Sequence, residues 1–131
     1  MASTIKAEAV KWFASKFGTK SNATYASKFY IPEKSWTRQS AWWLEIPLSK
    51  IDSPESADIH LLCQTAPNAK DFHCMKVPVA FLKEELPGLC VRKSGKLSLF
   101  LSAEQSEMFI DKRGSGSVSF SHLLKSIDLT L

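Results

Sequence analysis

No stretch of this sequence approaches the roughly 20 consecutive apolar residues that a bilayer-spanning helix needs. The opening "MASTIKAEAV" lacks the apolar core of a secretion signal, and Glu8 argues against an import presequence. A cytoplasmic location with no membrane contact is therefore expected. Cysteine is scarce: Cys63, Cys74 and Cys90 are an odd number with no CxxC pair, which argues against a disulfide framework. Reduced thiols packed as small apolar groups are expected instead. The GxxxxGK[ST] phosphate loop, the GxGxxG fingerprint, the HExxH zinc helix and the GxSxG nucleophile elbow are all missing. No catalytic residue and no cofactor is assigned, and the chain reads as a binding domain rather than an enzyme.

Metal chemistry finds little support. The nearest cluster is His60, Cys63, His73 and Cys74. Strand alternation sends the members of each close pair to opposite faces, so at most two converge, too few for a structural zinc site.

What is present is an ordinary globular balance. The 131 residues are 44% apolar and 23% charged, enough for one domain with a continuous core. The net charge of +4 is unevenly spread. Residues 1–40 hold seven basic side chains against two acidic, a local balance of +5, whereas the rest hold ten against eleven, or −1. Residues 1–43 also contain nine of the fourteen aromatics. A basic segment interleaved with aromatic rings is an electrostatic footprint for a polyanion, unless it is merely a solvated helix and loop.

Along the chain, Ile5, Ala9, Trp12, Phe13 and Phe17 recur at helical spacing, which predicts an amphipathic helix over residues 1–18, stopped by Gly18. Residues 19–40 show no clear period and read as a long basic, aromatic loop with one extended piece at "KFYI". Residues 41–120 form the sheet region. Within it "AWWLEIP" and "CMKVP" are strands, each ended by a proline, since proline cannot donate a ladder hydrogen bond. A short helix then follows, bringing Ile51 and Leu82 back to the core. Each unit continues into another alternating strand, "ADIHLLCQT" and "GKLSLFLSA", so a strand–proline–turn–strand pseudo-repeat is weighed against chance. An added strand, "LCVRK", turns at Ser94-Gly95. "KRGSGS" reads as a basic, flexible tip between two short strands, and residues 121–131 as a C-terminal helix. The expected fold is α+β: one mainly antiparallel sheet of five to seven strands, with a helix at each end covering its apolar face.

Strand parity assigns the faces. Trp42, Leu44, Ile46, Ile59, Leu61, Cys63, Leu97, Leu99 and Leu101 fall on the core side. Trp43, Leu62 and Phe100 fall on the other, ringed by His60, Gln64, Ser98 and Lys96. If the aromatic loop leaves that face uncovered, it is a contact surface.

Three functions compete. The favoured one is a non-catalytic nucleic-acid-binding domain, with Lys20, Lys28, Lys34 and Arg38 neutralising phosphates and Trp36 and Trp43 stacking on unpaired bases. The second is a protein–protein interaction or assembly module, joining a partner or a second copy through Trp43, Leu62 and Phe100. The third is a small metal-dependent nuclease, which needs Asp58 and Asp71 to meet near Lys76; ordinary turn and cap chemistry is the favoured reading of those carboxylates.

Overall fold

The computed structural model describes residues 5–17, 24–34, 39–51 and 58–125. Its helices are α1 (Ile5–Phe17), α2 (Leu48–Ile51) and α3 (Val79–Glu85). Its strands are β1 (Thr24–Ser27), β2 (Ala41–Pro47), β3 (Asp58–Gln64), β4 (Phe72–Pro78), β5 (Cys90–Val91), β6 (Lys96–Ser102) and β7 (Leu124–Lys125). The class is α+β, but the strands do not form the single sheet of five to seven that the sequence suggests. They divide into two small sheets, ordered β1-β3-β4-β7 and β2-β6-β5. All pairings are antiparallel except that of β1 with β3.

The division follows from what each apolar face needs. Trp42, Leu44 and Ile46 lie opposite Leu101, Leu99 and Leu97 across β2 and β6. Ile59 and Leu61 lie opposite Val77 and Met75 across β3 and β4. These two faces form one shared buried cluster, so each sheet is the other's cover. The expectation that helices cover this face is thus corrected. Helix α1 instead packs Ala9, Trp12 and Phe13 against Leu62, Phe72 and Cys74, on the outer side of the four-stranded sheet. Trp12 meets Phe72 edge-on with ring centroids 5.7 Å apart, and Phe13 meets His60 at 4.7 Å. Trp42 helps tie the two sheets: fully buried, it donates from Nε1 to the Gln64 carbonyl at 2.8 Å.

Both prolines end strands as expected. Pro47 and Pro78 are the last residues of β2 and β4, and the helices begin at Leu48 and Val79. Pro78 is extended, at φ −63° and ψ 139°, and stands just before the helix rather than in its first turn. Ile51 and Leu82 reach the core.

Other expectations fail locally. "KFYI" is not a strand; the extended piece is β1, and Tyr30 makes an isolated antiparallel bridge to Ala41. The added strand shrinks to Cys90–Val91. Residues 121–125 do not form an α-helix: a 3-10 turn, Ser121–Leu123, leads into β7, and residues 126–131 lie outside the described residues. The "KRGSGS" tip is packed rather than free. Asp111 is fully buried and accepts from the amides of Phe100, Arg113 and Gly114 at 2.9, 3.2 and 2.9 Å. The Gly116 amide donates to the Gly88 carbonyl at 2.9 Å, and a Cβ on Gly114 would stand 2.3 Å from that same oxygen. The glycines are there for close approach of backbone to backbone.

Among the described residues, no helix is long and apolar enough to cross a membrane.

Candidate functional site

The seam where β1 of one sheet meets β2 of the other combines a polar network with an exposed indole. Ser27, nearly buried, accepts the Trp43 amide at 2.9 Å and donates to the Lys28 carbonyl at 2.8 Å. Tyr30 and Ala41 exchange both backbone hydrogen bonds, at 2.9 and 3.1 Å. Gln64, 6% exposed, accepts the Phe29 amide on Oε1 at 2.9 Å and donates from Nε2 to the Ala69 carbonyl at 3.0 Å. A polar network therefore holds residues 27–30 in place beside β2.

Trp43 stands at this seam. It is 39% exposed, one of only a few large apolar side chains among the described residues that face solvent to this degree. Its Nε1 donates to Ser98 Oγ at 3.1 Å, which fixes the indole in one orientation. An open groove of about 410 Å³ lies alongside, lined by Tyr25, Ala26, Trp43, Glu45, Pro47 and Lys96. Pro47 and Lys96 are register partners, so β6 delivers the lysine to the groove mouth. Arg92 forms an ion pair with Glu45 from the neighbouring hairpin. Burial raises the Tyr25 hydroxyl pKa from an ordinary value at which the group is already neutral at physiological pH. A second groove, of about 350 Å³, includes Lys28, Tyr30, Ile31, Glu8 and Asn68 in its walls. There Lys28 Nζ lies 5.1 Å from the Tyr30 ring centroid, within cation–π range. Residues 25–30 join the two grooves, a span of at most about 18 Å of extended chain.

No family model, curated protein or solved structure matches this chain.

Of the residues expected to contact nucleic acid, Lys28 and Trp43 are both exposed and both line these grooves. Lys20, Trp36 and Arg38 lie outside the described residues, as does the side chain of Lys34. The expected patch of Trp43, Leu62 and Phe100 does not assemble. Leu62 is fully buried beneath α1 on the other sheet. Phe100 is Trp43's register partner but is only 3% exposed, and its backbone is bonded to Asp111 and Lys112.

The carboxylate reading fares no better. Asp58 lies 3.6 Å from Lys76 as a half-exposed ion pair. Asp71 lies at the opposite end of the β3–β4 hairpin, because Asp58 pairs with Pro78 and Gln64 with Phe72. At about 3.3 Å per residue the two carboxylates are about 20 Å apart along the strands. No group of three or more His, Cys, Asp or Glu that could hold a metal ion occurs among the described residues. Cys63 is buried, and burial, with Cys74 adding to it, pushes its thiol pKa up, away from a nucleophilic thiolate.

Sequence reasoning missed Tyr25 as a site residue, but it did place Lys96 on the rim of the Trp43 face. The signal was partial: parity places Lys96 on the same face as Ser98, but only the β2–β6 register brings it to Trp43.

Proposed function

We propose that this chain is a non-catalytic nucleic-acid-binding domain that uses the seam between β1 and β2. The observation that carries this is the fixed, part-exposed indole of Trp43 in an open groove that Tyr25 and Lys96 also line. Aromatic rings offer stacking faces, and lysines beside them neutralise phosphates. The surplus of positive charge in residues 1–40 acts in the same direction, attracting a polyanion from a distance. Arg92 holds the charge of Glu45, which would otherwise repel phosphates at this mouth.

The assembly reading loses two of its three residues to the interior, since Leu62 and Phe100 are buried within the chain itself. The nuclease reading loses its site to the distance between Asp58 and Asp71.

The test is a salt titration of binding to nucleic acid. The logarithm of the affinity should fall linearly with the logarithm of salt concentration. The Lys28→Glu, Lys96→Glu double variant should weaken binding and flatten that slope by about two, one for each phosphate no longer neutralised. Affinity that stays level as salt rises would remove the proposal.

A further inference from the structure

We infer that the groove beside Trp43 holds one unpaired base, so that the ligand is a single strand or an unpaired segment rather than a closed duplex. This rests on the reading above that the ligand is nucleic acid.

The groove's volume of about 410 Å³ lies within the range of small-molecule sites, about 300–1,000 Å³, and leaves room for a base with its sugar. Its one large exposed ring is held at two points. The Trp43 amide donates to Ser27 and the indole donates to Ser98, so little freedom remains to be lost when a base stacks on it. A ring fixed in this way can stack only on a free base face. In a duplex those faces are already stacked against their neighbours, and a protein meets base edges and phosphates instead. An unpaired base presents its face directly.

The polar groups around the ring suit the rest of a nucleotide. Lys96, exposed and lining the same groove, supplies a cation for a phosphate flanking the base. Glu45, its charge balanced by Arg92, is an acceptor for the amino group that adenine, cytosine or guanine carries on its edge. Tyr25 adds a neutral hydroxyl. Beyond Ala26 the chain leads to Lys28 and Tyr30 in the second groove, which provides a second cation and a second ring along one line of backbone. A strand lying along residues 25–30 would therefore meet ring, cation and ring again, a spacing that a single mononucleotide cannot use.

The test uses the full chain and fluorescence anisotropy with a labelled mixed-sequence oligonucleotide, in DNA and RNA forms. Each is measured as a single strand, as its duplex and as an abasic single strand of the same length, with a free mononucleotide as competitor. The single strand should bind about tenfold more tightly than the abasic strand, the scale of one base–aromatic stack. Trp43→Ala should lower single-strand binding more than abasic or duplex binding and so remove most of that advantage, while Trp43→Phe should keep most of it. Because Trp43 has a structural hydrogen bond, thermal unfolding of each variant is measured alongside. Tyr25→Phe serves as a second variant that keeps the ring. It should retain the abasic discrimination, and its loss in that variant would count against stacking as the source.

Three results separate the failures. Salt-dependent binding that ignores the missing bases, or that Trp43→Ala lowers equally on all three ligands, overturns the base site but leaves nucleic-acid binding standing. A mononucleotide that competes as well as the oligonucleotide overturns the strand. Absence of binding to every ligand at low salt overturns both readings.

Discussion

His73 packs against the rings of Trp42 and Phe109, with centroids 5.7 and 5.4 Å away, and burial lowers its pKa below the ordinary 6.5. In the unfolded chain the imidazole returns to a pKa of about 6.5 and takes up a proton more readily than in the folded one. Stability contributed by the neutral ring is therefore present above about pH 6.5 and declines as pH falls below it, levelling off beneath the folded value. Urea unfolding at about pH 5 and about pH 7.5 should show the lower midpoint at acid pH, and His73→Phe should shrink the difference. An undiminished difference in that variant would place the acid sensitivity elsewhere. Residue identity was readable in advance here, since two aromatics and a histidine are plain in the sequence. Their contact was not, because Phe109 comes from a segment thirty-six residues beyond His73 in the chain.

Short elements are decided by a few prolines and glycines. Pro47 and Pro78 stop β2 and β4 because neither can supply the next ladder amide, and each chain direction then suits a helical turn. That was legible from two dipeptides. The glycines of "KRGSGS" misled, since local composition favours a free tip. Their reason is tertiary: Gly114 and Gly116 touch the turn at Gly88, where added carbon would meet backbone at 2.3 and 2.8 Å. Gly114→Ala should cost about 1–3 kcal/mol by overpacking, read from denaturant unfolding. Gly95 makes a useful contrast. It has φ +84° in the turn before β6, but nothing lies within 4 Å of an added Cβ. Gly95→Ala should cost only about 1 kcal/mol, from the left-handed backbone alone. Equal costs at the two sites would mean that the contact with Gly88 contributes little.

At the scale of the molecule, the two strand–proline–helix–strand units cross the sandwich in opposite directions. The first starts in the three-stranded sheet with β2 and ends in the four-stranded sheet with β3. The second starts beside β3 with β4 and returns with β6 to lie beside β2. Each unit thus leaves both its strands to be paired by the other. Neither half owns a finished sheet, and the shared core cannot be divided between them. Unfolding should consequently be one cooperative transition, with tryptophan fluorescence and far-ultraviolet circular dichroism tracing the same curve. Two separated transitions would show that one sheet survives without its companion. Most pairings join residues far apart in sequence, which is the arrangement that slows folding.

Alternation along β2, β3 and β6 was enough to name the inward residues, because side-chain direction in a strand is a local property with a period of two. Proline placement and the basic bias of residues 1–40 were equally local. What covers a face is a different matter, since an apolar stripe is satisfied by any complementary partner, sheet or helix. That choice put Leu62 under α1 and Phe100 inside, and left Trp43 in the open. Tyr25 and Lys96 come to its side through the pairing of strands distant in the chain, and sequence periodicity has no means to encode which distant strand that is.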